Sequence, residues 1–256
     1  MSSRVEEALF LSDLHLGWVP LVPIHRRLLA QLERAAGDAS LVVLNGDIVD
    51  GYRGQPSDGT REVVERFCER VQAWRDEGRE VVVIEGNHDP AGTTPAPLSA
   101  ERWRYDFTGS RGERVRVLHG HRFSDEVEPL GVYEGFGRHF LRFENHAYGA
   151  SGLLRWMYPW SIGWVVGAVG RVEDIVWRRS ILEAIGRMDD VDVVVHGHLH
   201  FGPGSIRAGR VILFRSGAWV SAGHRGCVDR ILRYRRGDFE RLALDGGGFV
   251  VTRDGR

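Results

Sequence analysis

Five apolar runs in this chain each stop at a short cluster of Asp, Asn and His, and that recurrence constrains the fold more than any other property. The run ending at Leu11 breaks into Ser12-Asp13-Leu14-His15, and Leu41 to Leu44 breaks into Asn45-Gly46-Asp47. The run before Glu85 gives Gly86-Asn87-His88-Asp89, Val115 to Leu118 gives His119-Gly120-His121, and Val191 to Val195 gives His196-Gly197-His198-Leu199-His200. Short β-branched and leucine-rich runs bounded by turn residues read as buried strands. Polar residues on loops at one edge of a sheet are held by a rigid scaffold and converge in space though distant in sequence. The repetition therefore points to one shared site.

Between the runs the pattern changes period. Val5 to Leu11, Leu41 to Leu44 and Glu80 to Glu85 read as strands, separated by a proline-started helix over His25 to Ala35 and a second helix over Arg61 to Glu77. Strand, helix, strand, helix, strand is the order of an α/β fold with crossover helices. Residues 90–113, with Pro90, Pro95 and Pro97, read as irregular. Val115 to Leu118 and Val191 to Val195 are further strands. Short strands between glycine turns follow from Val211, Cys227, Phe239 and Phe249 in an antiparallel pattern.

From His121 to Met188 helical spacing takes over, so the expected division is a core of 1–124 and 187–256 with a helical insert, 125–186. Trp156, Tyr158, Trp160 and Trp164 lie in the insert, and the 15 residues between Arg155 and Arg171 carry no formal charge. A spanning helix needs about 20 residues, so this stretch is too short to cross a bilayer.

Composition adds exclusions. Hydrophobic residues are 43% and charged residues 27%, enough for a full core. A net charge of -1 gives no general attraction to polyanions, and no nucleic-acid partner is expected. Two cysteines outside any CxxC pair make no disulfide framework. Met1 to Glu7 lacks the basic-then-apolar plan of a secretion signal, so the expected location is the cytoplasm.

Imidazole and carboxylate donors together suit Zn, Mn or Fe, whereas an all-oxygen set suits Mg or Ca. One Asp-x-His alone is weak, since Asp and His are common turn residues at strand ends. Five such clusters in order form a specific set. The set resembles the calcineurin-like metallophosphoesterases, whose pattern runs Asp-x-His, Gly-Asp, Gly-Asn-His-Asp or Glu, a lone His, then Gly-His-x-His. Each occurs here in turn, at Asp13/His15, Gly46/Asp47, Gly86 to Asp89, His119 and Gly197 to His200.

The resemblance implies an α/β two-sheet sandwich flanked by helices, with the antiparallel tail after Arg210 completing the second sheet. It implies two divalent cations, Mn first with Zn or Fe as alternatives. Asp13, His15 and His200 would hold one, Asn87, His119 and His198 the other, and Asp47 would bridge them. Two cations about 3.5 to 4 Å apart lower the pKa of a shared water and neutralise phosphoryl oxygens during in-line attack. His88 would contact the phosphate and act as general acid, with Asp89 orienting it. Asn87 and His88 would touch substrate, and His121, two residues past a ligand, is a further substrate contact. His25, His139, His146 and His224 read as surface or packing residues, and His196 as the end of a strand.

The insert's position resembles that in bacterial UDP-2,3-diacylglucosamine pyrophosphatases, peripheral enzymes of lipid A synthesis. That implies a lipid-linked UDP-sugar as substrate and contact through 150–171 with the inner face of the membrane, which interfacial Trp and Tyr and the insert's arginines would favour. The alternative is an aromatic core of a helical lid. One departure separates the chain from the enterobacterial type: His88 stands where those enzymes usually have Arg. A soluble phosphatase or phosphodiesterase acting on nucleotides or phosphoproteins, and a scaffold without catalysis, are the other readings.

Overall fold

The computed structural model describes residues 4–51, 58–89, 92, 94–123, 181–198, 204–217, 219, 230–245 and 248–252. Strand β1 (Glu7–Leu11) is followed by helix α1 (Val22–Ala36), β2 (Leu41–Asn45), α2 (Asp58–Asp76) and β3 (Glu80–Ile84). Pro23 lies in the first turn of α1, where its missing N–H costs no hydrogen bond. Then come β4 (Arg104–Thr108), β5 (Arg114–Leu118), β6 (Val193–His196), β7 (Ser205–Ala208), β8 (Val211–Arg215), β9 (Arg230–Arg235), β10 (Asp238–Asp245) and β11 (Gly248–Thr252).

The strands form two sheets in the order β11-β10-β9-β1-β2-β3 and β4-β5-β6-β8-β7. In the first, β1, β2 and β3 run parallel, as their crossover helices require. In the second, β5, β6 and β8 run parallel, with β4 and β7 antiparallel at the edges. Alternation along each strand sorts side chains into layers. Ala8 and Phe10 of β1 face a core between the sheets with Val43, Phe107, Val117 and Val195. Leu9 and Leu11 face the other way, onto Leu28 and Leu32 of α1 and Phe67, Val71 and Trp74 of α2. A third cluster joins Ile181 and Ile185 to Val194 and Leu213 on the outer face of the second sheet. The result is a two-sheet sandwich flanked by helices, as the sequence predicts.

Two expectations are corrected. The tail does not complete the second sheet: only β8 joins it, and β9 to β11 return to the first sheet, with β9 antiparallel to β1 and Tyr234 opposite Ala8. The reason is visible in β9, whose Leu232 and Tyr234 fill the inter-sheet core beside β1. The irregular segment 90–113 contains β4, whose residues are exposed or half-buried except Phe107, so no apolar run marks it. Of the expected insert only helical residues 181–186 are described; Trp156, Tyr158, Trp160 and Trp164 lie outside the described residues.

Candidate metal centre

The parallel strands of both sheets end at one edge, and their exit loops are tied together by backbone hydrogen bonds. Beyond β1 and β2, Asp13 N donates to Gly46 O at 3.0 Å, His15 N to Asp47 O at 2.9 Å and Leu16 N to Ile48 O at 2.9 Å. Beyond β5 and β6, Gly197 N donates to His119 O at 3.0 Å. The sheets meet where the amide of His198 donates to both oxygens of Asp13, at 3.1 and 3.2 Å. Asp13, His15, Asp47 and His198 all have positive φ, between 47° and 64°. Asp and His tolerate this left-handed region better than most residues, and a strand entering it turns sharply and throws its next side chain into the cleft.

Two motif glycines are there for space. A Cβ on Gly86 would lie 2.1 Å from Asp47 N and 2.3 Å from its Oδ1, and one on Gly197 would lie 2.0 Å from Ser12 Oγ and 2.8 Å from Asp13 Oδ2. Any side chain at either position displaces a carboxylate of the site.

At the centre, His119 Nε2 lies 3.3 Å from Asp47 Oδ2 and 3.2 Å from Asn87 Oδ1, and His198 Nδ1 lies 3.1 Å from the same Asn87 oxygen. Donors bound at about 2.1 Å to one cation, roughly at right angles, stand about 3 Å apart. On the other side, His15 Nε2 lies 3.9 Å from Asp47 Oδ2. Two groups of metal-capable side chains result among the described residues, Asp13/Asp47/His119 and His15/Asp50/His88, with the donor atoms of each within 4.8 Å of one another. Residues 8–202 match the calcineurin-like phosphoesterase family.

The chain belongs to that family.

This calcineurin-like phosphoesterase is a metal-dependent hydrolase, and its mixed nitrogen and oxygen donors fit divalent cations. Solved structures align with it along most of their length at low identity. A dimetal phosphatase from Danio rerio is 14% identical, with 99% of this chain and 100% of that one covered and a TM-score of 0.46. Vps29 from Chaetomium thermophilum is 14% identical over 96% and 95%, with a TM-score of 0.46. A cold-active protein-tyrosine phosphatase of a psychrophilic Shewanella is 18% identical over 97% and 81%, with a TM-score of 0.45.

The phosphoesterase brings Asp13, His15, Asp47, Asn87, His88, His119 and His198 into one cleft; His200 lies outside the described residues. His121 borders it, its ring centroid 5.5 Å from that of His119. His196 ends β6 and His25 lies on the buried face of α1, both buried. Asp89 differs from expectation. Its carboxylate accepts from the amides of Val49 at 2.9 Å and Ile48 at 3.3 Å, and so it braces the loop after Asp47. The carboxylate beside His88 is Asp50, whose Oδ1 is 3.2 Å from Nδ1. Asp50 Oδ2 also lies 3.6 Å from His15 Nδ1, so one buried acid serves two imidazoles. The signal for it was a second acid in Gly46-Asp47-Ile48-Val49-Asp50. A second positioning contact, His119 Nδ1 donating to Asn45 O at 2.8 Å, runs through a main-chain carbonyl and left no mark in residue type.

The charges agree with cation binding. Burial works to raise Asp47, but the imidazoles of His119 and His88 outweigh it and hold the carboxyl well below its usual range. Burial works to lower His119, and the Asp47 charge and hydrogen bond prevail, lifting it to about 9. A divalent cation meeting the same donors would compete with a proton on His119. Asp89 is pushed up to about 7 by burial and then by the Asp47 charge.

Proposed function

We propose that this phosphoesterase holds two cations in a shared cleft and hydrolyses a phosphodiester or pyrophosphate bond, with a lipid-linked UDP-sugar of the UDP-2,3-diacylglucosamine type as substrate. The observation that carries the site is the convergence of Asp47, Asn87, His119 and His198 at 3.1 to 3.3 Å from four separate strand ends. Asp13, His15 and His200 would hold one cation and Asn87, His119 and His198 the other, with Asp47 contributing to both. Mn, with Zn or Fe as alternatives, would supply the Lewis acidity that activates water near neutral pH and offsets charge on the phosphoryl oxygens.

The chain's own groups do the rest. Asp50 and the carbonyl of Asn45 fix the imidazoles of His15 and His119. His88, partly open to solvent and engaged at Nδ1 by Asp50, carries at Nε2 the proton that passes to the leaving-group oxygen. Asn87 and His121 face the same phosphate. Asp89 keeps Ile48 and Val49, and through them Asp47, in place.

The finer substrate reading rests on the aromatic and arginine-rich insert, 125–186, set between the 1–124 and 187–256 parts of the core. Its aromatics suit acyl chains and the headgroup region of a membrane, reached from the cytoplasmic side. No helix among the described residues is long and apolar enough to cross a bilayer. His88 in place of Arg favours a second reading, a soluble phosphatase or phosphodiesterase acting on nucleotides or phosphoproteins.

The deciding experiment assays the Mn-loaded protein on UDP-2,3-diacylglucosamine, an aryl phosphodiester and an aryl phosphomonoester. Turnover of the first at least about a hundredfold above the others supports the lipid reading, and preference for the aryl diester overturns it. Asp47→Asn should lose bound metal, measured by mass spectrometry, together with turnover; full hydrolysis without metal would sink the site assignment.

A further inference from the structure

Beside the metal cleft lies a feature that its chemistry has not used. The chain between β3 and β4 folds back along the end of β3: Glu101 N donates to Val83 O at 3.3 Å, and Glu85 N donates to Arg102 O at 2.9 Å. This pins Trp103 next to the start of the Gly86-Asn87-His88 loop. Trp103 is 40% exposed, unusual for an indole in a domain with a well-filled core. Its ring is covered by cations. The guanidinium carbon of Arg104 is 5.0 Å from the ring centroid and that of Arg122 is 5.6 Å away.

Arg122 is fixed a second time, its Nη2 donating to Glu85 Oε2 at 2.8 Å. Trp103 and Arg122 border a small hollow with Leu118, His119, Gly120 and His121, and His121 Nε2 lies 4.0 Å from the Glu85 carboxylate that holds Arg122, so this guanidinium stands at the rim of the site. A guanidinium has five N–H donors, and one carboxylate and one indole face do not exhaust them. Holding its plane in advance lowers the entropy lost when an anion binds, and a planar fork matches a phosphoryl group in two hydrogen bonds.

We propose that Arg122 and Arg104, held on the Trp103 ring beside Glu85 and His121, form a subsite for a second phosphoryl group of the substrate, next to the phosphorus that is attacked. The inference rests on the reading of the strand-end cleft as the phosphoryl site. It separates substrates by phosphate number: a pyrophosphate diester fills both sites and a simple phosphodiester fills one.

The test is titration calorimetry of Mn-loaded protein, in buffer with excess Mn2+, against methylenediphosphonate and methylphosphonate, neither of which can be hydrolysed. The wild type should bind the diphosphonate at least about tenfold more tightly. In Arg122→Gln, and in Trp103→Leu where the ring that orients both cations is lost, that ratio should fall at least about fivefold, with metal content confirming an intact fold. A double variant, Arg104→Gln with Arg122→Gln, should abolish the preference. An unchanged ratio in the double variant, or none in the wild type, overturns the subsite. The two readings fail differently: if methylphosphonate binding survives Asp47→Asn the cleft assignment is wrong, whereas if it depends on Asp47 and the ratio ignores Arg122 only the subsite is wrong.

Discussion

Asp50 shows how much one residue decides at this site. It is buried between two imidazoles, His15 and His88, one assigned to metal and one to proton transfer. Asp50→Asn keeps the shape and removes the charge. Carboxylates behind metal-bound histidines are worth about 10- to 100-fold in metal affinity or activity. The variant should therefore bind Mn more weakly by about that factor and show an altered acid limb in its pH–rate profile; a wild-type profile with wild-type affinity would remove the positioning role. Gly86→Ala tests the other residue-scale constraint, the 2.1 Å approach to Asp47 N. That variant should fold with depleted metal, as measured by mass spectrometry after dialysis.

His25 belongs to the same scale but acts on stability. Its Nε2 donates to Leu14 O at 2.6 Å, while its buried Nδ1 has no hydrogen-bond partner among the described residues. Burial, chiefly, lowers it from 6.5 to about 4. Below pH 6.5 the unfolded chain takes up a proton that the folded chain refuses, so this stability is present above 6.5 and is lost as pH falls toward 4. The slope approaches about 1.4 kcal/mol per pH unit. Urea unfolding at pH 7 and pH 5 should show a smaller acid loss in His25→Gln than in the wild type.

At the scale of elements, the strand ends were legible because their chemistry is concentrated in residue type. Asp13, His15, Asp47, Asn87, His119 and His198 announce themselves by breaking apolar runs, and the structure brings all of them together. Strand β4 was not legible: with only Phe107 buried among Arg104–Thr108, it lacks an apolar signal, and pairing with β5 holds it. Contacts through main-chain atoms, such as His119 to Asn45 O, were equally silent. Helix α2 was legible from Val63, Val64, Phe67, Val71 and Trp74, all of which are buried. Phe67→Ala should cost about 3–5 kcal/mol in chemical denaturation, with metal stoichiometry of the folded fraction unchanged, since α2 packs on the outer face of the first sheet.

For the whole molecule, the decisive fact is that the proposed ligands come from both sheets. Asp13, His15, Asp47 and Asn87 follow strands of the first, His119 and His198 strands of the second. A bound cation therefore joins the halves of the sandwich, and its affinity adds to folding stability by about 2.7 kcal/mol at a metal concentration a hundred times Kd. Chelation should lower Tm by several degrees, restorably with Mn, and Asp47→Asn should show no such response. The destination of the tail could not be read from its pattern, because antiparallel strands carry the same alternation whichever sheet receives them.

That destination has a consequence for how the protein is made. Strand β1 leaves the ribosome before the other strands of its sheet, yet the neighbour on one of its edges is β9, with Tyr234 paired to Ala8. At about 5–20 residues per second, translation leaves that edge without its partner for roughly ten to forty-five seconds. Throughout that time Leu9, Phe10 and Leu11 can pair with any passing strand. The late hairpin of β9 and β10 is thus also the closing seal of the nascent chain.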